Sequence, residues 1–504
     1  MATETELKLH IAPENIQQFM QHPLLQKAAD SQCRQHLYSV YFDTPECMLL
    51  EQGIGLRVRH LGAKKIQTIK TAGSGLSGLH QRQEWEVEIT GDTPDYALFP
   101  AEALPEWCAE PQNRQQIEEL FVTDFWRTTW HLILNDGSEI EVALDQGEVK
   151  TKTQNYPISE VELELKAGTP DKLYKIALLF QTDLPLCLEN KSKAAKGYAL
   201  HRHKPPQFHK AEAVKLQADM NVEQAFVQIM WHCLGHLQAN EEIVLAGDDI
   251  EGVHQMRVAL RRLRSCLTLY KTVIPKNTYA KCFPEIKWLM DVLGVARDWD
   301  VFALNLHQIQ SQTNHIGLQD LQKCVTQFQN SAYAEVRTIL LSPRYSRLLL
   351  SLGKWLTQHR WRRKLEATAL KGLETPLPDF ANHILTTYYQ HIQQQGEHFA
   401  QLDAEELHKL RISIKKLTYS TRFFMVLYPN EVIRPYAKKL SRLQDELGIL
   451  NDGNVATHLL NQAELEPNAP ARHFLNGWYA HQQMTHFVQL ESAWQTFLEQ
   501  KVFW

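Results

Sequence analysis

Glu4, Glu6 and Lys8 alternate with Thr5, Leu7 and Leu9 near the start of the chain. Alternate residues of a strand point to one face, so this spacing puts two carboxylates and an amine side by side. Arg57 and Arg59, flanked by Leu56 and Val58, repeat the pattern, Lys70 ends a further run, and Arg127 stands in Phe125-Trp126-Arg127-Thr128-Thr129-Trp130. Carboxylates gather in the same way. Glu84, Glu86 and Glu88 alternate with Trp85, Val87 and Ile89, Glu139, Glu141 and Asp145 oppose Ile140, Val142 and Leu144, and Glu160, Glu162, Glu164 and Lys166 oppose Val161, Leu163 and Leu165. Clustered carboxylates hold Mg²⁺ or Mn²⁺, and guanidinium groups fork onto phosphate oxygens. A fold that brings these sets together suits a phosphate chain and a metal ion.

The elements that must position them read in twos up to about residue 200, with turn signals such as Asn135-Asp136-Gly137 between them. For any single strand, an apolar inside and a solvated charged outside is the commoner arrangement. Two features favour the inverse. Whole strands carry one sign, and like charges on neighbouring strands destabilise a sheet unless cations lie between them. Helices expected at about 13–30, 95–120 and 170–181 could also cover an apolar exterior. Parity alone leaves the facing open. The run Gly73-Ser74-Gly75-Leu76-Ser77-Gly78 fits G-x-G-x-x-G, but the next element is the strand around 81–89 rather than a helix. A dinucleotide site is therefore rejected, and a loop between strands is expected.

Taken in order, Glu4-x-Glu6-x-Lys8, Arg57-x-Arg59, Lys70, Arg82-x-Glu84, Arg127, Asp145, Glu160-x-Glu162-x-Glu164 and Ser192-Lys193 resemble the CYTH family, the triphosphate tunnel metalloenzymes, over about residues 1–200. The resemblance implies an eight-stranded antiparallel tunnel with the charged face inward. It also implies roles. Lys8, Arg57, Arg59, Lys70 and Arg127 would grip phosphate oxygens, with Arg82 beside them, although a salt bridge explains Arg82 and Glu84 equally well. Glu4, Glu6, Glu162 and Glu164 would hold Mg²⁺ or Mn²⁺ and position the attacking water, assisted by Glu160 and Asp145. Lys193 would polarise a phosphate, with Lys191 on the same parity as the other choice. Glu86, Glu88, Glu139 and Glu141 are read as structural or surface charges.

After about residue 218 the spacing becomes helical and a repeat appears. Val253-His254-Gln255-Met256-Arg257 and Leu407-His408-Lys409-Leu410-Arg411 are offset by 154 residues, as are Leu293-Gly294 and Leu447-Gly448. Each Leu-Gly precedes what reads as an acidic turn, Arg297-Asp298-Trp299-Asp300-Val301 and Asn451-Asp452-Gly453-Asn454-Val455. His254, Arg257, Arg261, Arg264 and Thr268 step by three and four along one helix face, and His408, Arg411, Lys415, Thr418 and Arg422 repeat the steps, with Arg262 and Lys416 beside them. One basic stripe is an ordinary solvated face; two matched ones would frame a positive cleft. Each histidine lacks a nearby ligand at metal spacing, so hydrogen bonding or charge near an anion is expected. These features resemble the CHAD domain, the conserved-histidine α-helical domain, over about residues 219–504. That resemblance implies binding of inorganic polyphosphate through His254, Arg257, Arg261, Arg262, Arg264, His408, Arg411, Lys415, Lys416 and Arg422. Lysines in the second copy give charge without the bidentate fork.

The whole chain is consistent with this division. Its 504 residues exceed what one core usually serves. The expected fold class is α+β: an N-terminal eight-stranded antiparallel barrel with covering helices, then an all-α domain of two pseudo-symmetric bundles. The expected boundaries are 1–201 for the barrel, 202–218 for a linker containing Pro205-Pro206, and 219–504 for the helices, duplicated at about 219–370 and 375–504. A net charge of −5 gives no global basic field, so nucleic acid is not expected as a partner. Eight scattered cysteines form no C-x-x-C pair, and neither a signal peptide nor a membrane span is legible. A cytoplasmic, metal-dependent inorganic triphosphatase is expected, cleaving tripolyphosphate to diphosphate and phosphate. The alternatives are a non-catalytic polyphosphate-binding protein, an adenylate cyclase or a thiamine triphosphatase.

Overall fold

The computed structural model describes the chain except residues 1, 72–73, 77–78, 203, 248, 314–317 and 464–468. Two compact units result: residues 1–206 with 339–359, and residues 207–338 with 360–504. The first holds ten strands: β1 (Ala2–His10), β2 (Cys33–Asp43), β3 (Ile54–Leu61), β4 (Lys64–Thr71), β5 (Ser74–Leu76), β6 (Leu79–Ile89), β7 (Glu118–Ile133), β8 (Glu139–Lys150), β9 (Asn155–Ala167) and β10 (Cys187–Leu188). They pair in the order β1-β9-β8-β7-β2-β3-β4-β6, and β6 pairs back onto β1 from Ala2↔Glu84 to Leu7↔Leu79. Eight strands thus close into an antiparallel barrel, and the short β5 and β10 add to β6 and β1. Of the glycine-rich run, Gly73, Ser77 and Gly78 lie outside the described residues, as does the side chain of Arg82.

Helices of ten residues or more are α1 (Asp171–Asp183) and α2 (Lys193–Arg202), then α3 (Val222–Gln238), α4 (Ile250–Leu269), α5 (Phe283–Thr313), α6 (Leu318–Leu340), α7 (Pro343–Thr357), α8 (Leu377–Gln395), α9 (Ala404–Phe424), α10 (Asn430–Gln462) and α11 (Pro470–Leu498). The alternation of the strands is resolved in favour of the inverse barrel. Leu7, Leu9, Val161 and Leu163 are fully buried on the outer face. Helix α1 lies on β1 and β9 there, through Leu173, Ile176, Ala177 and Phe180. The charged face is left to line the interior. The covers expected at 13–30 and 95–120 are short pieces, Ile16–Met20, Pro23–Gln26 and Pro111–Arg114 with single 3-10 turns. Pro13, Pro23, Pro100, Pro105 and Pro111 explain this, since proline starts a helical turn but does not continue one. Helix α7 falls in the barrel's unit. The backbone N–H of Leu188 in β10 donates to Ser346 Oγ at 2.8 Å, and Gly353 meets the ring of Tyr174 so closely that a Cβ there would lie 2.5 Å from it.

In the second unit the repeat becomes symmetry. Adding 154 to the bounds of α4 gives 404–423, and α9 spans Ala404–Phe424. Helix α3 packs on α4 and α4 on α5, while α8 packs on α9 and α9 on α10. Equivalent helices also meet: α3 with α8, α4 with α9, and α5 with α10. The stretches expected as acidic turns, 297–301 and 451–455, instead lie inside α5 and α10. Trp299 and Asp300 belong to the buried face of α5, where Asp300 accepts from Gln329 Nε2 at 3.0 Å and Tyr333 OH at 2.9 Å. Gly294 of α5 faces Arg257, whose Nη1 would lie 2.7 Å from a Cβ placed there.

Candidate active site

The barrel encloses a cavity of about 490 Å³, within the usual range for a small-molecule site. Strand β1 contributes Glu4, Glu6 and Lys8, β3 contributes Arg57 and Arg59, and β4 contributes Lys70. Arg127 comes from β7, Glu162 and Glu164 from β9, and Lys193 from the first turn of α2. Ser192 Oγ caps that turn by accepting from Ala195 N–H at 3.1 Å. Gly197 lets α2 lie against β7, since a Cβ there would stand 2.1 Å from Phe121. Ten of the residues singled out in the sequence therefore line one space. Glu84, Glu86 and Lys166 line it too. The sequence leaves Glu84 open between this site and a salt bridge and gives Glu86 as a structural or surface charge, although both share the parity of their strand's inward face.

Register explains who meets whom. Lys8 stands opposite Glu162 and Glu6 opposite Glu164 across β1 and β9. Arg127 stands opposite Asp145, and Asp145 opposite Glu160, across β7, β8 and β9. Asp145 and Glu160 have no exposure and sit behind the cavity wall. Arg127 grips Asp145 with two parallel bonds of 2.8 and 2.7 Å and also bonds Glu162. Lys193 Nζ reaches Asp145 at 2.5 Å, Glu160 at 2.6 Å and Glu162 at 3.0 Å. These three carboxylates converge closely enough to hold a metal ion. As the side chains stand, that place is taken by the ammonium of Lys193. Burial works against its charge, but Asp145, Glu160 and Glu162 outweigh burial and hold Lys193 well above the ordinary lysine range. Lys8, bonded to Glu162 and 3.0 Å from Glu6, is raised in the same way. Glu162 is held well below the ordinary range by Lys193, Lys8 and Arg127, against its burial.

Two regions of the lining crowd like charges together. Glu6 and Glu164 are carboxylates placed directly opposite each other, which destabilises a sheet unless a cation lies between. Burial, with Glu4 and Glu141 nearby, pushes Glu164 up despite its 2.7 Å bridge to Lys166. On the other side Lys70 is held by Glu4 at 2.6 Å and Glu84 at 3.2 Å, and Arg57 by Glu84 at 3.5 Å. Arg59 has no carboxylate at ion-pair distance among the described residues; its Nε donates to Ser39 Oγ at 3.2 Å. Burial and then the charges of Arg57 and Arg127 push Arg59 down to about 10. The lining carries seven cations against six carboxylates. An anion with several negative charges therefore overruns the one surplus cation, and a metal ion that accompanies it would strengthen its binding. The donors that would hold such an ion, Glu4, Glu6, Glu162 and Glu164, are all oxygens, which fits a hard divalent cation.

Residues 2–198 match the CYTH domain and residues 228–461 the CHAD domain. The chain joins a CYTH domain to a CHAD domain. Among curated proteins, an inorganic triphosphatase from Haemophilus influenzae is 35% identical over 209 residues, 40% of this chain; the match spans 55% of that protein's length. Among solved structures, a CHAD domain from the plant Ricinus communis is 32% identical, covering 58% of this chain and 98% of that one, with a TM-score of 0.51. A Hippeastrum protein described as an adenylyl cyclase homologue with dominant triphosphatase activity is 17% identical, covering 39% of this chain and 95% of that one, with a TM-score of 0.29.

In the CHAD half, His254, Arg257 and Arg261 are half-buried on α4 and Arg264 is exposed. On α9, His408 and Arg422 are exposed, while Arg411, Lys415 and Lys416 are half-buried. Thr418 is buried with its hydroxyl on the carbonyl of Ile414, so the second stripe is interrupted. Arg262 is buried on the other side of α4, its guanidinium 5.7 Å from the ring of Phe423. Burial, then Arg297, pushes His254 down to about 4, so near neutral pH it is an uncharged hydrogen-bonding group. Arg257 finds its acid on the next helix, Asp298 of α5 at 3.9 Å.

Proposed function

We propose that the CYTH barrel hydrolyses inorganic tripolyphosphate to diphosphate and phosphate with a divalent metal ion. One observation carries this reading: a single cavity holds a guanidinium, Arg59, with no carboxylate at ion-pair distance among the described residues, and two carboxylates, Glu6 and Glu164, placed directly opposite each other. A ligand satisfies both only if it is strongly anionic and brings a cation. Arg57, Arg59, Lys70, Arg127 and Lys8 would bind and orient the phosphate oxygens from several strands, fixing the terminal phosphorus for in-line attack. Glu4, Glu6, Glu162 and Glu164 would hold Mg²⁺ or Mn²⁺, which supplies charge neutralisation at the phosphates.

The water oxygen attacks the terminal phosphorus, the bond to the bridging oxygen breaks, and diphosphate leaves with its electrons. Glu164, on the inward face of its strand beside Glu6, would position the attacking water. Lys193 and Lys8, held cationic, meet charge as it develops on the oxygens. The similar Haemophilus influenzae protein, an inorganic triphosphatase, is in line with this choice of substrate. Phosphate release from tripolyphosphate, ATP, thiamine triphosphate and long-chain polyphosphate tests it. Tripolyphosphate is expected to be cleaved fastest, and faster release from either organic triphosphate would replace the substrate assigned here.

For the CHAD half we propose polyphosphate binding along α4 and α9, supported by the contact of these two basic helices and by Arg264 and Arg422 at the surface. Reversing Arg261 and Lys415 to glutamate should weaken retention of long-chain polyphosphate, and unchanged retention would exclude these helices. All eight cysteines are free thiols, which fits the reducing cytoplasm proposed as the location. No described helix is long and apolar enough to cross a membrane.

A further inference from the structure

Behind the cavity wall, a line of buried charges leads away from Lys193. Glu160 has no exposure and divides its two oxygens between two lysines: Oε1 lies 2.6 Å from Lys193 Nζ and Oε2 lies 2.9 Å from Lys196 Nζ. Lys196, one turn along α2, is also buried and reaches Glu189 Oε2 at 2.7 Å. Glu189 is itself tied at two further points. Its N–H donates to the carbonyl of Lys8 in β1 at 3.0 Å, and its Oε1 accepts the N–H of Lys191 at 2.9 Å, in the turn that leads into α2. Neither Glu189 nor Lys196 lines the cavity.

We propose that Glu189 and Lys196 are positioning residues: together they hold one oxygen of Glu160, and so fix where the ammonium of Lys193 stands. The proposal rests on the triphosphatase reading, because it gives Lys193 a task at the substrate. The physical argument is one of sharing. A buried carboxylate oxygen left without a donor is costly. If Lys196 withdraws, Glu160 offers both oxygens to the nearest remaining ammonium, that of Lys193. Lys193 then turns toward Glu160, away from Glu162 and the cavity. If Glu189 is lost, Glu160 is the one carboxylate left at ion-pair distance from Lys196 among the described residues, and the turn ahead of Lys193 loses its bond to Oε1. Either loss moves the same ammonium.

The two residues carry opposite charges, and this separates positioning from the simple field of a nearby charge. By field alone, Lys196→Met weakens an anion in the cavity and Glu189→Ala strengthens it. Positioning requires both to weaken it. The experiment is calorimetric titration of the full-length protein and each variant with tripolyphosphate, without metal, beside steady-state phosphate release with metal and thermal unfolding. Both variants are expected to bind tripolyphosphate at least about tenfold more weakly, the worth of one charge-assisted hydrogen bond, and to lose kcat/KM in step. Lys196→Arg should recover most of the loss. Folded variants with wild-type affinity, or affinities that move in opposite directions, would overturn the proposal. If either variant does not fold, Glu189→Gln keeps the volume and removes the charge, and tighter or unchanged binding there counts against positioning. A wild-type protein that binds tripolyphosphate but releases no phosphate would sink the triphosphatase reading alone, since the affinities still decide the matter.

Discussion

Lys193 Nζ lies 2.5 Å from Asp145 Oδ2, an ammonium seated among three buried carboxylates. We propose that Asp145 anchors Lys193 and Arg127 and that the metal is held by the carboxylates that face the cavity. Asp145→Asn removes a fully buried partner of both cations. It is expected to destabilise the barrel by on the order of 3 kcal/mol in urea unfolding. Mn²⁺ affinity, read by calorimetry on the folded variant, should stay within about threefold of wild type. A folded variant that no longer binds Mn²⁺ would return Asp145 to the metal site.

Arg59 carries the opposite expectation. It is crowded by Arg57 and Arg127 and no carboxylate partners it among the described residues. Removing it relieves repulsion in the free protein and removes a grip on substrate. Arg59→Gln should therefore raise the KM for tripolyphosphate about tenfold or more, with unfolding temperature unchanged or higher. A variant that loses stability while keeping its KM would show Arg59 to be part of the scaffold.

Gly197 sets how closely α2 approaches β7. A methyl group there would stand 2.1 Å from Phe121, so Gly197→Ala must push α2 outward and carry Lys193 with it. A cost of about 1–3 kcal/mol in stability is expected, as for overpacking elsewhere. The folded variant should also lose turnover, and wild-type kcat would mean that Lys193 tolerates the shift.

Acid should loosen the barrel through Glu160. Burial works against its charge, yet Lys193, Lys8 and Lys196 hold it down to about 2, from an ordinary value of 4.5. A carboxylate depressed by folding contributes stability that is complete above pH 4.5 and is lost as pH falls toward 2. The unfolding temperature of the metal-free protein should drop across that window, and Glu160→Gln should flatten the drop. Parallel curves for the two proteins would assign the acid sensitivity elsewhere.

Which charges share a face was legible because a strand's alternation is rigid: once Glu6 faces the cavity, Glu4 and Lys8 must too. That this face is the inner one came from the resemblance to the CYTH family and not from parity. The helical repeat was legible for a similar reason, since one offset relates α4 to α9 along their length. What escaped the sequence depends on contacts between distant residues. Nothing local tells that Glu84 and Glu86 share a cavity with Arg57, or that Lys196 lies under Glu160, 36 residues away. Arg262 sits one residue beyond Arg261, but the turn of the helix sends it into the bundle against Phe423. Asp298 and Asp300 looked like a turn because acidic residues favour turns. In α5 one instead answers Arg257 and the other binds Gln329 and Tyr333.

The barrel is proposed to cleave tripolyphosphate with a metal held by its inward carboxylates. The most direct measurement is phosphate release from tripolyphosphate by wild type and Glu6→Gln, each with Mg²⁺, with Mn²⁺ and with a chelator. Release by the wild type only when metal is present, and at least about a hundredfold slower release by the variant, is the expected result. Equal rates with chelator and metal, or full activity in Glu6→Gln, would contradict the account.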